Sequence, residues 1–249
     1  MVVLAILRAL VLIVSMSLYL LSYAASRVIW PHTKEAAFKL RRHWVRYMCF
    51  PILNIKVKVS GSPLTGAALY VCNHRSFLDP AVISKYLDAF VIAKAEIADY
   101  PIINKGAEVT GIIWVRRDSH SSRSATKQAY VSTLQSGYNV LVYPEGTVSV
   151  AQQTLPFKKG TFYEAAANGF PVIPVAIEYK KASDLWTMHS LAKYYLRQCS
   201  KWSTEVKLSF GPTLSLTNGA DLHSTAHEWI NQELASMQSQ WSEVWTNHE

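Results

Sequence analysis

From residue 55 onward, short apolar runs alternate with helix-forming segments, and few architectures accommodate such a pattern. Ile55, Val57 and Val59 alternate with Lys56 and Lys58, the signature of an edge strand, which ends at Gly61. Residues 67–72, 90–93, 111–115, 139–143, 172–179 and 206–210 also read as strands. Between them, residues 80–87, 96–105 (interrupted at Pro101), 119–136, 160–167 and 183–198 read as helices. Gly137 and the pair Asn168-Gly169 supply stop signals. Thr225-Ala226-His227-Glu228 reads as a capping box opening a last helix, whose stripe is Ile230, Leu234, Met237, Trp241 and Trp245. Strands alternating with helices predict an α/β fold: a mixed, largely parallel sheet flanked by helices. With 249 residues, half of them apolar, the chain can build one medium-sized domain with appendages.

The N-terminal fifth is different. Residues 9–26 are uncharged and mostly apolar, with Arg8 before and Arg27 after. As a helix they would extend about 27 Å, near the lower limit for a bilayer span. Three readings compete: a membrane anchor, a cleaved signal peptide and a buried helix. Residues 33–50 favour the anchor, because they read as an amphipathic helix. Ala37, Leu40, Trp44, Tyr47 and Met48 share one face, and Lys39, Arg42 and Arg46 another, with Arg41 beside them. A basic face backed by aromatics suits a helix lying on anionic lipid, although a solvated face packed on a domain has the same composition. The expected division is residues 1–50 as anchor and basic helix, and 51–249 as the α/β domain with its C-terminal helix. The Lys/Arg cluster after the apolar segment places that domain on the cytoplasmic face of the inner or plasma membrane.

A net charge of +8 points to an anionic partner: membrane lipid, nucleic acid or a phosphorylated substrate. The basic residues concentrate near the apolar segment and no nucleic-acid motif is present, so no nucleic-acid partner is expected. Cys49, Cys72 and Cys199 are odd in number and far apart, which argues against a disulfide framework. The histidines lack ligand spacing, so neither a metal nor a cofactor is expected.

Strand exits are where chemistry gathers in sheets of this kind. The run at 67–72 breaks into Asn73-His74-Arg75-Ser76-Phe77-Leu78-Asp79-Pro80. Five helical steps would put His74 and Asp79 on different faces, so a regular helix does not join them. Pro80 suits a first helical position and makes Asp79 a plausible N-cap, and a loop over 74–78 would fold the ring back onto the carboxylate. An imidazole oriented by a carboxylate is a general base with no nucleophile attached. The exits after Val115 and Tyr143 carry Arg116 and Arg117, and Glu145 to Thr147. Alone, each of these is an ordinary loop residue.

Taken in order, the blocks resemble the glycerolipid acyltransferase family that includes the 1-acyl-glycerol-3-phosphate acyltransferases. Asn73 to Asp79 is similar to its NHxxxxD block. Gly111-Ile112-Ile113-Trp114-Val115-Arg116-Arg117 is similar to its glycine–aromatic–arginine block. Tyr143-Pro144-Glu145-Gly146-Thr147 resembles its EGT block, and Val172-Ile173-Pro174-Val175-Ala176-Ile177 its proline-containing strand. The likeness covers roughly residues 55–180. It implies acyl transfer from a thioester, acyl-CoA or acyl carrier protein, to the hydroxyl of a lysolipid. It implies His74 as general base and Asp79 as its orienter. Arg117 would hold the acceptor's phosphate, assisted by Lys158, with Glu145, Gly146 and Thr147 lining the substrate and backbone amides near Gly146 and Thr147 facing the oxyanion. One departure matters. The family carries arginine after EGT, where this chain has Val148. Lysophosphatidate remains the default acceptor that the resemblance implies, and the loss of this arginine makes a lysolipid without a terminal phosphate the alternative. A non-catalytic lipid-binding protein on the same fold is a third reading, against which the intact His74/Asp79 pair argues.

Overall fold

A computed structural model describes residues 2–26, 33–95, 109, 111–115, 120–187, 190–239 and 241–244. The strands are β1 (Ile55–Ser60), β2 (Leu69–Cys72), β3 (Ala89–Lys94), β4 (Ile112–Val115), β5 (Asn139–Val142), β6 (Val172–Tyr179) and β7 (Thr204–Phe210). They form one seven-stranded sheet in the order β1-β7-β6-β2-β5-β3-β4. Neighbours pair in parallel except β6 with β7. The expected mixed, largely parallel sheet is thus present. β1, with its exposed lysines, lies on an edge, where charge blocks further strand addition.

The helices are α1 (Val2–Ser26), α2 (Lys34–Trp44), α3 (Phe50–Leu53), α4 (Asp79–Ser84), α5 (His120–Gln135), α6 (Gly160–Asn168), α7 (Leu191–Ser200) and α8 (Gly219–Ser239). They cover both faces of the sheet. Tyr70, Ile173, Val175 and Ile177 point towards a core shared with α1, α3, α4 and Cys199 of α7. Leu69, Val71, Val172 and Ala176 point the other way, towards α5, α6 and α8. Period-2 alternation in β2 and β6 thus feeds two apolar layers, which is why all their side chains are buried.

Several boundaries differ from the sequence pattern. α8 begins at Gly219, not at Thr225, because Asn218 caps it: its side chain accepts from Ala220 N at 2.8 Å and its carbonyl from Leu222 N at 3.0 Å. The capping-box residues therefore lie inside the helix, and Ala226 packs into the core. Residues 183–198 are not one helix. A 3₁₀ turn spans Ala182–Asp184, and α7 starts afresh at its N-cap Ser190. The helix read over 96–105 and the side chain of Trp245 lie outside the described residues.

The N-terminal elements also depart from expectation. α1 starts well before Arg8, because that guanidinium is satisfied at the C-terminal end of α7, donating to the carbonyls of Lys201 (2.5 Å) and Cys199 (3.4 Å). Ala5, Ala9 and Leu12 pack into the core, while Ile6, Leu7, Leu10, Val14, Leu18 and Leu21 are exposed. The helix is 25 residues long and apolar enough to cross a membrane. α2 is capped by Thr33 and passes into a π-helical turn, Val45–Cys49. That turn shifts the angular phase, so the buried side is Ala37, Phe38, Val45 and Cys49, and Tyr47 faces out. Of the expected basic face, Arg42 pairs with Asp88 at 2.5 Å and Arg41 donates to the Ala89 carbonyl at 3.0 Å.

Gly61 closes β1 with φ +67°, and a Cβ there would meet the Phe210 carbonyl oxygen at 2.1 Å. Gly61→Ala combines a left-handed backbone with that clash. It should cost about 2 kcal/mol or more, lowering Tm by about 4–8 °C in a thermal melt.

Candidate active site

β2 is the central strand, flanked in parallel by β5 and β6. Its exit therefore opens between two neighbouring strand ends. Asn73 continues the ladder with its side chain: Nδ2 donates to the Ile177 carbonyl and Oδ1 accepts from Ile177 N, both at 2.9 Å. Only a primary amide offers a donor and an acceptor in this spacing. The main chain is thereby freed to turn away at His74.

The turn is organised by Asp79. It is not an N-cap: α4 includes it as its first residue, with Leu78 before it and Pro80 in the first turn. Its carboxylate bends back over the loop instead. Oδ2 accepts from Arg75 N (2.7 Å), Ser76 N (2.9 Å) and His74 Nδ1 (2.7 Å), and Oδ1 accepts from the Tyr179 hydroxyl (2.7 Å). The expected approach of ring and carboxylate is therefore present, with the acid fully buried and the ring 17 % exposed. A carboxylate only accepts, so Nδ1 carries the proton and Nε2 presents a lone pair. Nε2 meets no partner among the described residues. An imidazole held in this way can take a proton from a neighbouring hydroxyl.

The backbone of His74 is fixed as firmly as its ring. Its N–H donates to Glu145 Oε1 at 2.8 Å, and its carbonyl accepts from Ser149 N at 2.9 Å. The second Glu145 oxygen accepts from Leu155 N at 2.8 Å. Both oxygens of that carboxylate are thus engaged by the protein's own amides, and burial pushes its pKa up. Gly146 adopts φ +74° and donates its N–H to the Tyr143 carbonyl at 3.0 Å, so that amide closes the turn and is not open to a ligand. Thr147 is exposed, and the amides of Thr147 and Val148 donate to nothing among the described residues. Tyr143 stacks on the imidazole, centroids 4.1 Å apart and planes 19° apart. Lys158 is exposed, its amide bonded to the Pro144 carbonyl at 3.0 Å. Arg116 and Arg117 lie outside the described residues.

Motif reading passed over the residue beside the histidine. Arg75 is 1 % exposed. Its guanidinium donates to the carbonyls of Ser149, Ala151 and Gln152, and to Glu178 Oε2 at 3.2 Å. Gln238 of α8 donates to the same carboxylate at 2.7 Å and to the Gln152 carbonyl at 2.9 Å. Arg75 therefore holds the segment after the Glu145 turn against the loop that carries His74. Ser76 bonds the hydroxyl of Tyr194 in α7. Tyr179 and Glu178 lay inside a run legible only as a buried strand, so nothing in the sequence singled them out.

Residues 55–178 match the Acyltransferase family model. The chain belongs to the acyltransferase family. It is similar to the lyso-ornithine lipid O-acyltransferase of Pseudomonas aeruginosa, 32 % identical over 143 residues covering 57 % of this chain and 55 % of that protein. It is also similar to the enzyme of the same name from Rhodobacter capsulatus, 29 % identical over 136 residues, 53 % of this chain and 49 % of that one. The 1-acyl-sn-glycerol-3-phosphate acyltransferase of Neisseria gonorrhoeae is 34 % identical over 111 residues, 45 % and 44 % of the two chains. The matches span about half the length of these curated relatives. Among solved structures, the fold is similar to the 1-acyl-sn-glycerophosphate acyltransferase PlsC from Thermotoga maritima. The TM-score is 0.65 at 22 % identity, covering 92 % of this chain and 98 % of that one. That likeness speaks to the fold.

Arg75→Met strips a buried carboxylate of its charged partner and should cost about 3–5 kcal/mol by chemical denaturation, with Arg75→Met/Glu178→Met recovering part of the loss. A single variant as stable as the parent would contradict the network.

Proposed function

We propose that this acyltransferase-family chain moves a fatty acyl group from a thioester to the hydroxyl of a lysolipid, with His74 as general base and Asp79 as its orienter. The observation that carries this reading is the 2.7 Å contact between His74 Nδ1 and a buried, multiply bonded carboxylate, which leaves Nε2 unengaged at a strand exit. An alcohol is a weak nucleophile at neutral pH, so a base must remove its proton during attack. Nε2 takes that proton as the lipid oxygen bonds to the thioester carbon. The tetrahedral oxyanion collapses, the carbon–sulfur bond breaks, and the thiolate takes the proton back from the imidazolium. The amides of Thr147 and Val148 are the donors we assign to the oxyanion, in place of Gly146. Asp79 fixes the ring and steadies its charged form. Glu145 serves this site as a brace for the His74 backbone, and Arg117 and Lys158 are proposed as contacts to the anionic parts of the substrates.

The donor is acyl-CoA or an acyl carrier protein, and the default acceptor is 1-acyl-glycerol-3-phosphate, giving phosphatidate. One feature favours a different acceptor. Val148 replaces the arginine expected after Glu145-Gly146-Thr147, removing a charge-assisted contact of about 1.5–3 kcal/mol. Three of the curated relatives are named for lyso-ornithine lipid. A phosphate-free lysolipid is the second reading.

The same proposal places the chain on a membrane. The exposed apolar side of α1, together with α2, forms the anchor within residues 1–50. The domain of residues 51–249 rests on the cytoplasmic side. The burial of Ala5, Ala9 and Leu12 against the domain supports a helix lying in one leaflet.

His74→Ala should lower thiol release from acyl-CoA with lysolipid by about 100- to 10,000-fold while binding of the donor persists. Undiminished turnover would exclude this base. Mass spectrometry of products from a lysolipid panel, with both donor types, should give the default diacyl product. Product only from phosphate-free acceptors would favour the second reading.

A further inference from the structure

The π-helical turn after α2 leaves a pair of cations that the proposed chemistry does not use. Arg46, within the turn, is exposed, and its guanidinium lies 5.7 Å from the Tyr47 ring centre. Lys85 follows the last residue of α4, and its ammonium sits 4.1 Å from the Phe50 ring centre and 5.4 Å from that of Tyr86. Phe50 lies four residues beyond Arg46 on one helical run, so the ring under Lys85 belongs to the same stretch that carries Arg46. Burial and the Arg46 charge both push the Lys85 pKa down. Neither side chain meets a carboxylate among the described residues, whereas neighbouring Arg42 is paired with Asp88. Two like charges near enough to act on one another cost free energy until an anion joins them.

What surrounds the pair indicates which anion. α1 is tied to α2 here: Tyr19 bonds His43 at 2.7 Å, and Trp44 Nε1 donates to Ser15 at 3.1 Å. His43 in turn packs on Tyr47, centroids 4.5 Å apart. Tyr19, His43 and Tyr47 thus form an aromatic border between the exposed apolar side of α1 and the Arg46/Lys85 pair. Apolar helix, polar-tipped rings and then cations is the sequence of layers met on passing from acyl chains to headgroups.

We propose that Arg46 and Lys85 form a binding site for the phosphate of an anionic bilayer lipid, separate from the His74 site. It rests on the reading that α1 lies in a bilayer. α4 connects the two places: Asp79 opens that helix and Lys85 follows its end, about 9 Å along. A phosphate held there sets the height of the imidazole over the leaflet.

The test is flotation of the full-length chain, diluted from detergent onto vesicles of phosphatidylcholine alone or with added phosphatidylglycerol. The parent should bind both, and the anionic lipid should strengthen binding. Arg46→Gln/Lys85→Gln should lose about tenfold or more of that gain and keep its binding to neutral vesicles. Arg46→Lys should retain the gain. Lys56→Gln/Lys58→Gln removes equal charge from the edge strand β1 and should keep nearly all of it. Equal losses in the two double variants would overturn the site. Failure of the parent to bind neutral vesicles would instead sink the reading of α1, and circular dichroism of each variant separates misfolding from lost binding.

Discussion

A single buried carboxylate holds the working end of this fold together. Asp79 sits at the start of α4, yet it serves the loop before it, gathering two backbone amides, a tyrosine hydroxyl and the imidazole. An acid taken out of water needs such partners, and each partner is thereby placed. The amides fix the turn, Tyr179 ties it to β6, and what is left over aims the ring. Geometry at His74 is therefore a by-product of satisfying Asp79.

The surroundings repeat this logic. Glu145 spends both oxygens on amides, one of His74 and one of Leu155. Arg75 turns away from solvent to gather three carbonyls and Glu178. Acidic and basic side chains that look in sequence like surface charges act here as cross-braces between segments about 70 to 100 positions apart. Because each is buried, it is costly to leave any of them half-satisfied.

How much of this could be read in advance depended on range. Short apolar runs and glycine stops located the strands and the end of α6, because those signals are local. The pairing of His74 with Asp79 was legible because the later blocks follow it in family order; alone, the two read as ordinary loop residues. Legibility failed where a distant partner decides. α1 starts before Arg8 because carbonyls at the far end of the chain absorb the charge. Tyr47 faces out because one π-helical turn changes the phase, which no periodic template anticipates. The roles of Arg75 and Tyr179 depend on segments that meet only in the finished sheet. Arg117 belongs to a block recognisable in sequence, but Arg116 and Arg117 themselves lie outside the described residues.

The contact between Arg8 and the Lys201 carbonyl spans 193 positions. On a ribosome adding about 5–20 residues per second, the first helix waits roughly 10–40 s for α7 to be made. Throughout that interval the side of the helix that packs on α7 lacks that partner, and a nearby bilayer is the place where it can shelter. Assembly on the membrane would then precede completion of the sheet, with the lipid acting as temporary scaffold.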